Sequence, residues 1–201
     1  MNDTYKTIEK ASVGYFKDKG SKFHAFAFPV RNEDEIKENL SRLKKEHYSA
    51  RHHCYAWRIG TEEIIFRAND DGEPSSTAGK PILGQLQSFE VTNILIIVVR
   101  YFGGTLLGVG GLINAYKNAA ADALNNAEIV EKLIERNYCL GFTCNELNDV
   151  MQIIKNENLN IIKTQFEEKC KLFFSVRKSD EEKIRNIFEN FYGVSISNMN
   201  E

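Results

Sequence analysis

The sequence is poor in the residues that mark several protein classes. Its 201 residues include 4 cysteines, 3 prolines and 1 tryptophan. No two cysteines form a CxxC pair, so we expect neither a zinc cluster nor a disulfide framework, and we predict no metal or cofactor. No apolar run reaches the roughly 20 residues that a membrane-spanning helix requires. With the polar start of the chain, this predicts a cytoplasmic protein without membrane association.

The sequence also lacks an excess of charge of one sign. Its formal net charge is −2 at pH 7. General attraction to a phosphate backbone is therefore not expected, and any contact with nucleic acid must come from a local basic patch. Because 42% of the residues are hydrophobic, the chain can bury either one large core or two small ones.

The C-terminal part alternates strand-like and helix-like segments. Alternating or continuous apolar residues predict four strands, at 137–144, 161–166, 171–176 and 194–197. Helical spacing predicts two helices between them, with Asn145 and Ser179 as their N-caps. The resulting order predicts a ferredoxin-like βαββαβ domain over residues 135–201.

The first 134 residues predict a second mixed domain with a less regular order, which makes the whole chain α+β. We expect a helix over 32–47 that Asn32 caps, and a helix that begins near Pro81. A continuous apolar run at 93–99 is typical of a strand that is covered on both faces, and it ends before Arg100. Further strands are predicted at 22–30, 53–59 and 63–68, and a long helix at 112–127.

The strongest local signal begins at the end of the apolar strand, where a cation precedes five glycines that lead into a helix. Glycines leave backbone N–H groups open to a ligand, and a helix N-terminus carries partial positive charge, so this pattern indicates anion binding. The spacing fits neither the dinucleotide-binding nor the P-loop fingerprint. A tight strand-to-helix turn explains the same glycines, and both interpretations stay open. The candidate residues are Arg100, Gly103, Gly104, Gly108, Gly110 and Gly111.

A second candidate segment crowds three carboxylates and three hydroxyls into residues 70–77. Carboxylates beside hydroxyls can hold magnesium or act as acid and base, although an exposed turn has the same composition. One carboxylate, from Asp70 or Asp71, could also pair with Arg100 and fix the segment in place. The candidates are Asp70, Asp71, Glu73 and Ser75, with Lys80 close by.

A third candidate segment, residues 51–57, supplies Arg51 and His53. Successive side chains of a strand point to opposite faces, so the adjacent histidines at 52 and 53 are a poor metal chelate. A buried histidine beside an exposed one is the simpler interpretation. Aromatic residues on the neighbouring strands are expected in the core rather than in a base-stacking surface.

Three segments together resemble the YigZ/IMPACT family: RHHCYAWRIG at 51–60, DDGEPSSTAGKPIL at 70–83 and NILIIVVRYFGGTLLGVGGLINAY at 93–116. The resemblance implies a ribosomal-protein/GHMP-kinase-like βαβ domain over residues 1–134, with a left-handed crossover. It also implies that residues 135–201 are similar to the last domain of elongation factor G. Ser76 stands where such proteins usually have glycine, which questions whether a positive φ is needed there.

The resemblance implies no reaction, and three hypotheses on function stay open. In the first, the protein is a non-enzymatic regulator of translation that binds the ribosome, RNA or a translation factor through a local anion-binding surface, as eukaryotic relatives regulate translation initiation. In the second, it is an enzyme acting on a phosphorylated or nucleotide ligand. In the third, it docks proteins on a sheet edge of the C-terminal domain. Convergence of the acidic and glycine segments on one cleft would favour a small-molecule site.

Overall fold

The computed structural model describes residues 3–166 and 169–199 and shows an α+β chain of two compact units. The first unit comprises Tyr5–Lys132. The second comprises the described residues of Leu133–Glu201 together with those of Met1–Thr4. The predicted α+β class is confirmed. Within the described residues, no helix is both long and apolar enough to cross a membrane.

The first unit contains a five-stranded antiparallel sheet in the order β2-β3-β6-β4-β5. Strands β3 and β4 both run antiparallel to β6, which lies between them, so they are parallel to each other and are joined by helix α1. A separate two-stranded sheet pairs β1 with β7. The elements are β1 Thr4–Ile8, β2 Ser12–Asp18, β3 Ser21–Pro29, α1 Glu33–Glu46, β4 His52–Ile59, β5 Ile65–Asn69, α2 Gly79–Ser88, β6 Ile94–Tyr101, α3 Gly108–Asn125 and β7 Ile129–Leu133.

Strand β6 is the centre of this unit. Ile94 to Arg100 are all buried, because α2 and α3 cover one face of the sheet and α1 covers the other. This double cover explains the continuous apolar run in the sequence. Helix α3 approaches the sheet closely: a Cβ added to Gly14 on β2 would lie 2.2 Å from the backbone nitrogen of Ala123. The small residues of α3 make this approach possible.

Several predicted boundaries in this unit are confirmed and others are wrong. Asn32 caps α1 as expected, since its side chain accepts hydrogen bonds from the N–H groups of Asp34 and Glu35. Helix α2 begins at Gly79, so Pro81 is its third residue. Arg100 lies at the end of the buried strand as expected, since it is the last but one residue of β6. Helix α3 begins at Gly108, so three glycines that were predicted in a loop belong to its first turn.

The second unit runs strand, helix, strand, strand, helix, strand. Its antiparallel sheet has the order β11-β8-β10-β9, and α4 and α5 both contribute to one apolar core with the same face of β8 and β10. A single turn of 3-10 helix, Lys178–Asp180, precedes α5. The elements are β8 Glu135–Phe142, α4 Leu147–Asn156, β9 Asn160–Phe166, β10 Cys170–Arg177, α5 Glu181–Glu189 and β11 Ser195–Asn198.

The two predicted N-caps of this unit are wrong. The N-cap positions are Glu146 and Asp180, and neither makes a side-chain cap bond. Before α4, the Glu146 carboxylate instead accepts hydrogen bonds from the backbone N–H and the hydroxyl of Thr143. Before α5, the extra 3-10 turn moves the helix start past Ser179. The similarity of this unit to the last domain of elongation factor G stays a prediction.

Candidate functional site

The acidic segment and the glycine segment meet in one cleft of the first unit, with a volume of about 520 Å3. Three parts of the chain line it: the residues before and at the start of β4, the turn at Glu73 and Pro74, and the stretch from Arg100 into α3. They converge because β4 pairs with β6 so that His52 lies opposite Arg100. The two segments therefore converge on one cleft, which is the condition that favours a small-molecule site, although this cleft is open to solvent on one side.

The floor of the cleft contains a buried ion pair. Arg100 Nη1 donates to Glu73 Oε1 over 2.6 Å, and the two side chains are only 7% and 4% exposed. The Tyr116 hydroxyl donates to the same oxygen over 2.8 Å. Burial raises the pKa of Tyr116, so this hydroxyl stays protonated and remains a donor. Arg100 is thus neutralised by Glu73, and not by Asp70 or Asp71.

Two aromatic rings, one from β3 and one from the residue after β6, lie close to the Arg100 guanidinium. Its central carbon lies 5.6 Å from the ring centroid of Phe23 on β3 and 5.6 Å from that of Phe102. Such distances allow cation–π attraction, which is stronger where water is excluded. The rings and the ion pair together fix the guanidinium in one orientation.

Asp70 holds the acidic segment against the start of α2. Its Oδ1 accepts from the N–H groups of Ala78 and Gly79, and its Oδ2 accepts from that of Ser76, all over 2.8–3.0 Å. The side chain thereby satisfies N–H groups that a helix leaves unpaired at its beginning. These contacts give Asp70 a structural role. A role in ligand binding stays a prediction.

Asp71 ties the acidic segment to the edge of β4. Its Oδ2 accepts from the backbone N–H of His53 over 2.7 Å, and its Oδ1 lies 3.2 Å from Lys44 Nζ. Among the described residues, no three His, Cys, Asp or Glu side chains come together in a way that could hold a metal ion. The hydrogen bonds of Asp70 and Asp71 to the backbone hold the turn that contains Glu73.

The backbone of this turn is strained in a way that explains its composition. Asp71, Gly72 and Ser76 have φ values of 42°, 89° and 63°. Ser76 thus adopts the left-handed conformation that glycine adopts without penalty. The replacement of glycine by serine leaves the positive φ in place.

The glycines of the second segment have two different roles. Gly103 is a packing residue: a Cβ added there would lie 1.9 Å from the carbonyl carbon of Gly20. Gly104 and Gly108 have φ values of 86° and 71°. An added Cβ at Gly104, Gly108 or Gly110 would meet open space within 4 Å, and at Gly111 it would approach only the Leu107 side chain. Close packing therefore explains Gly103, whereas the other positions leave the backbone accessible.

The remaining predicted residues are divided between the cleft and other surfaces. Arg51 is exposed and lines the cleft. Ser75 and Lys80 are exposed but are not among the residues that line it. His53 is buried on the other side of β4, and burial lowers its pKa, which favours the neutral ring.

Cys54 does not have the surroundings of a reactive thiol. Its Sγ donates to the carbonyl of Asp70 over 2.9 Å and lies 3.3 Å from the Tyr116 hydroxyl. Burial raises its pKa, so the thiol stays protonated and is a poor nucleophile.

Sequence reasoning missed the apolar wall of the cleft and the contribution of His52. Phe102, Leu106 and Val109 are 53%, 83% and 59% exposed, and all three line the cleft. The available signal was the placement of large apolar residues between glycines, where a tight turn offers them nothing to pack against. His52 lines the cleft and contacts the Asp71 carbonyl through Nδ1 over 2.9 Å.

The fold and the cleft define an α+β protein of two units whose first unit carries a cleft with apolar and cationic lining residues. Comparison with known sequences agrees with this division. The profile of the Impact N-terminal domain matches residues 19–124, within the first unit. IMPACT family member YvyE from Bacillus subtilis is 37% identical over 180 residues, covering 84% of this chain and 82% of that protein.

A second relative and a solved structure extend the match. IMPACT family member YigZ from Escherichia coli is 34% identical over 153 residues, covering 74% of each chain. A crystal structure described as a hypothetical protein superposes with a TM-score of 0.71 at 27% identity, covering 98% of this chain and 97% of the other. The chain belongs to the IMPACT family.

Proposed function

We propose that this protein is a non-enzymatic regulator of translation that binds a protein partner, a translation factor or a protein surface of the ribosome, through the cleft of its first unit. The role in translation follows the resemblance to eukaryotic family members. The observation that carries the choice of partner is the exposed apolar wall of Phe102, Leu106 and Val109 beside the cleft floor.

The apolar wall favours a protein partner over RNA. Large apolar side chains that share one exposed patch mark surfaces that other molecules cover, and buried aromatic and aliphatic anchors dominate protein interfaces. RNA binding depends mainly on cations that release counterions from phosphates. Here Glu73 neutralises Arg100, and the chain carries a net charge of −2. The charged lining residues then leave an excess of one positive charge, from Arg51, which attracts a polyanionic phosphate backbone only weakly.

The contacts of the candidate catalytic groups support a binding role. Asp70 and Asp71 accept hydrogen bonds from the backbone, Glu73 is paired with Arg100, and Cys54 is a protonated thiol. A catalytic site needs a nucleophile or a base with a free lone pair facing the substrate. His52 lines the cleft and could act as a base through its second ring nitrogen, but the described lining residues include no Ser, Thr, Cys, Tyr or Lys side chain that could serve as a nucleophile beside it.

One observation favours a second candidate, a site for a small anionic ligand. The acidic and glycine segments converge on one cleft whose volume suits a small molecule. The open first turn of α3 adds N–H donors to this cleft. An enzyme acting on a phosphorylated ligand would use the same donors.

The proposal is tested by binding measurements on the full chain and two variants. Leu106→Asp places a charge in the apolar wall, whereas Tyr48→Asp makes the same change at a tyrosine that is 85% exposed and does not line the cleft. Each protein is sedimented with purified ribosomes and titrated with purified elongation factors and with single-stranded RNA. We expect either the ribosome or one of the elongation factors to bind the parent and Tyr48→Asp with equal affinity. The same partner should bind Leu106→Asp at least about tenfold more weakly.

Binding to RNA alone with a steep salt dependence would overturn the choice of a protein partner. Equal binding by Leu106→Asp and the parent would overturn the choice of the cleft.

A further inference from the structure

We propose that the cleft selects a single carboxylate attached to an apolar body, the chemistry that a partner protein presents where an acidic residue stands beside an apolar one. This inference rests on the proposed function and adds the chemistry of the ligand. Three features of the cleft support this inference: free backbone N–H donors, an arginine with further unpaired N–H donors, and a net charge of +1.

The open donors belong to the first turn of α3. This helix has 18 residues, and its N-cap, Leu107, makes no side-chain cap bond. No acidic residue stands in the first turn, and Gly108 and Gly110 leave open space above the backbone. The N–H groups of a first helical turn have no partner within the helix, and they attract an anion. An acceptor in the cleft would therefore meet free donors.

Arg100 gives an independent indication of a ligand. A guanidinium carries five N–H donors. Among the residues that the structure describes, Glu73 is the hydrogen-bond partner of the Arg100 side chain, and the buried Nε has none. Leaving a buried donor unpaired is unfavourable, and Arg100 is one of the residues that line the cleft. A carboxylate beside it would give this group a second acceptor.

The charge of the cleft fits one negative charge. Arg51 and Arg100 contribute two positive charges and Glu73 one negative charge, so the arginine and carboxylate side chains that line the cleft carry a formal charge of +2 − 1 = +1. A carboxylate balances this charge. A phosphate dianion would leave one negative charge uncompensated in a partly desolvated site, which is unfavourable.

The apolar wall selects the rest of the ligand. Phe102, Leu106, Val109 and Leu112 face the same cleft as the donors, and its volume of about 520 Å3 accommodates an alkyl chain or two apolar side chains. Inorganic anions would leave this wall in water. The ligand therefore combines a charged end with an apolar end.

A set of octyl compounds separates these requirements in the full-length protein. Backbone amide signals are followed by NMR during titration with octanoate, octan-1-ol and octyl phosphate, with inorganic phosphate as a further probe. We expect octanoate to shift the amides of Leu107, Gly108 and Val109 and to bind about tenfold or more tightly than octan-1-ol, because charge-assisted hydrogen bonds add to apolar contact. Inorganic phosphate should cause no such shifts.

Two exposed substitutions test the site without disturbing the ion pair. Arg51→Gln and Leu106→Ser should each weaken octanoate binding by about threefold or more, while Tyr48→Ser should leave it unchanged. Equal affinity for octanoate and octan-1-ol, tighter binding of octyl phosphate, or shifts confined to other parts of the chain would overturn the inference.

Competition separates this inference from the proposed function. Octanoate that binds the cleft of a protein with no translation partner would overturn the proposed function and support the ligand chemistry. A translation partner whose binding requires Leu106 but is unaffected by saturating octanoate would support the proposed function and overturn the ligand chemistry.

Discussion

The two units of the chain are built from similar elements but bury different chemistry. Both pack helices against an antiparallel sheet. The first unit also buries an ion pair and several polar groups, including His53 and Thr77. Among the described residues of the second unit, Ser175 is the one buried polar side chain. Buried charge contributes little to stability and is unfavourable when unpaired, so its concentration at one cleft indicates a functional role.

The backbone shows the same difference. Among the described residues of the second unit, the positive φ values are at Asn158, directly after the C-cap of α4, and at Gly193, in the loop between α5 and β11. In the first unit, positive φ values occur in the acidic turn and the glycine segment beside the cleft, and also in loops away from it, at Lys19, Gly20, Gly60, Glu90 and Asn93. Strain of this kind clusters at binding and active sites. Together with the buried ion pair, the positive φ values of the acidic turn and the glycine segment support the proposal that the functional surface lies at this cleft.

The largest expected difference between the units concerns their arginine ion pairs. Arg100→Met leaves Glu73 buried without its partner and should lower the free energy of unfolding by about 3–5 kcal/mol. The matched change in the second unit, Arg185→Met, removes an exposed pair with Glu189 and should cost under about 1 kcal/mol. Urea unfolding followed by circular dichroism measures both. A similar decrease in the free energy of unfolding for the two variants would show that the buried ion pair contributes no more to stability than the exposed one.

Glycine substitutions should separate packing from helix propensity within the first unit. Gly103→Ala should destabilise by about 1–3 kcal/mol, because its Cβ collides with the backbone of Gly20. Gly84→Ala, in the middle of α2 with open space around it, should instead stabilise by about 0.5–1 kcal/mol. Differential scanning calorimetry gives the sign for each. A harmless Gly103→Ala would mean that the segment can move away from β3.

A smaller effect of opposite sign is expected in the acidic turn. Ser76→Gly removes the steric penalty of a side chain at φ 63° and keeps the N–H that donates to Asp70. We expect a gain of about 0.5–1 kcal/mol in the free energy of unfolding. The gain should appear as a higher melting temperature of the purified variant. An unchanged or lower value would show that the serine side chain contributes a compensating contact.

The smallest expected effect is a difference between the two units in how the free energy of unfolding depends on pH. All 4 histidines lie in the first unit. Burial lowers the pKa of His53 and of His24 below the ordinary value of 6.5, so the unfolded state binds protons more readily. The free energy of unfolding of the first unit is therefore highest above pH 6.5. It decreases as the pH falls below 6.5 and through the lowered pKa values of these two histidines.

This loss can be measured as a shift of unfolding midpoints between pH 7.5 and pH 5.5. His53→Gln should reduce the pH dependence of the first unit. A dependence that the variant retains in full would exclude His53 as its source.

The sequence predicted those parts of the fold that depend on neighbouring residues. Asn32 and the acidic residues after it gave the start of α1, and the apolar run gave β6. The resemblance gave the family. The first strands, β1 and β2, were missed, because β1 pairs with β7 across more than 120 positions of the chain and its short pattern is weak.

The site was harder to predict than the fold because its contacts are distant in sequence. The residues 51, 73 and 100 were all candidates, but nothing local indicates that Arg100 pairs with Glu73 rather than with Asp70. Asp70 looks like a ligand by composition, yet its carboxylate is needed at the start of α2. The exposure of Leu106 depends on the path of the glycine segment, which the sequence does not reveal.

The central claim, that the cleft of the first unit acts on translation, is tested most directly in a reconstituted bacterial translation system. The parent, Leu106→Asp and Tyr48→Asp are added at concentrations equal to that of the ribosomes, and the rate of reporter synthesis is measured. We predict that the parent and Tyr48→Asp change the rate equally and that Leu106→Asp leaves it unchanged. No effect of the parent, or an effect that Leu106→Asp retains in full, would contradict the account.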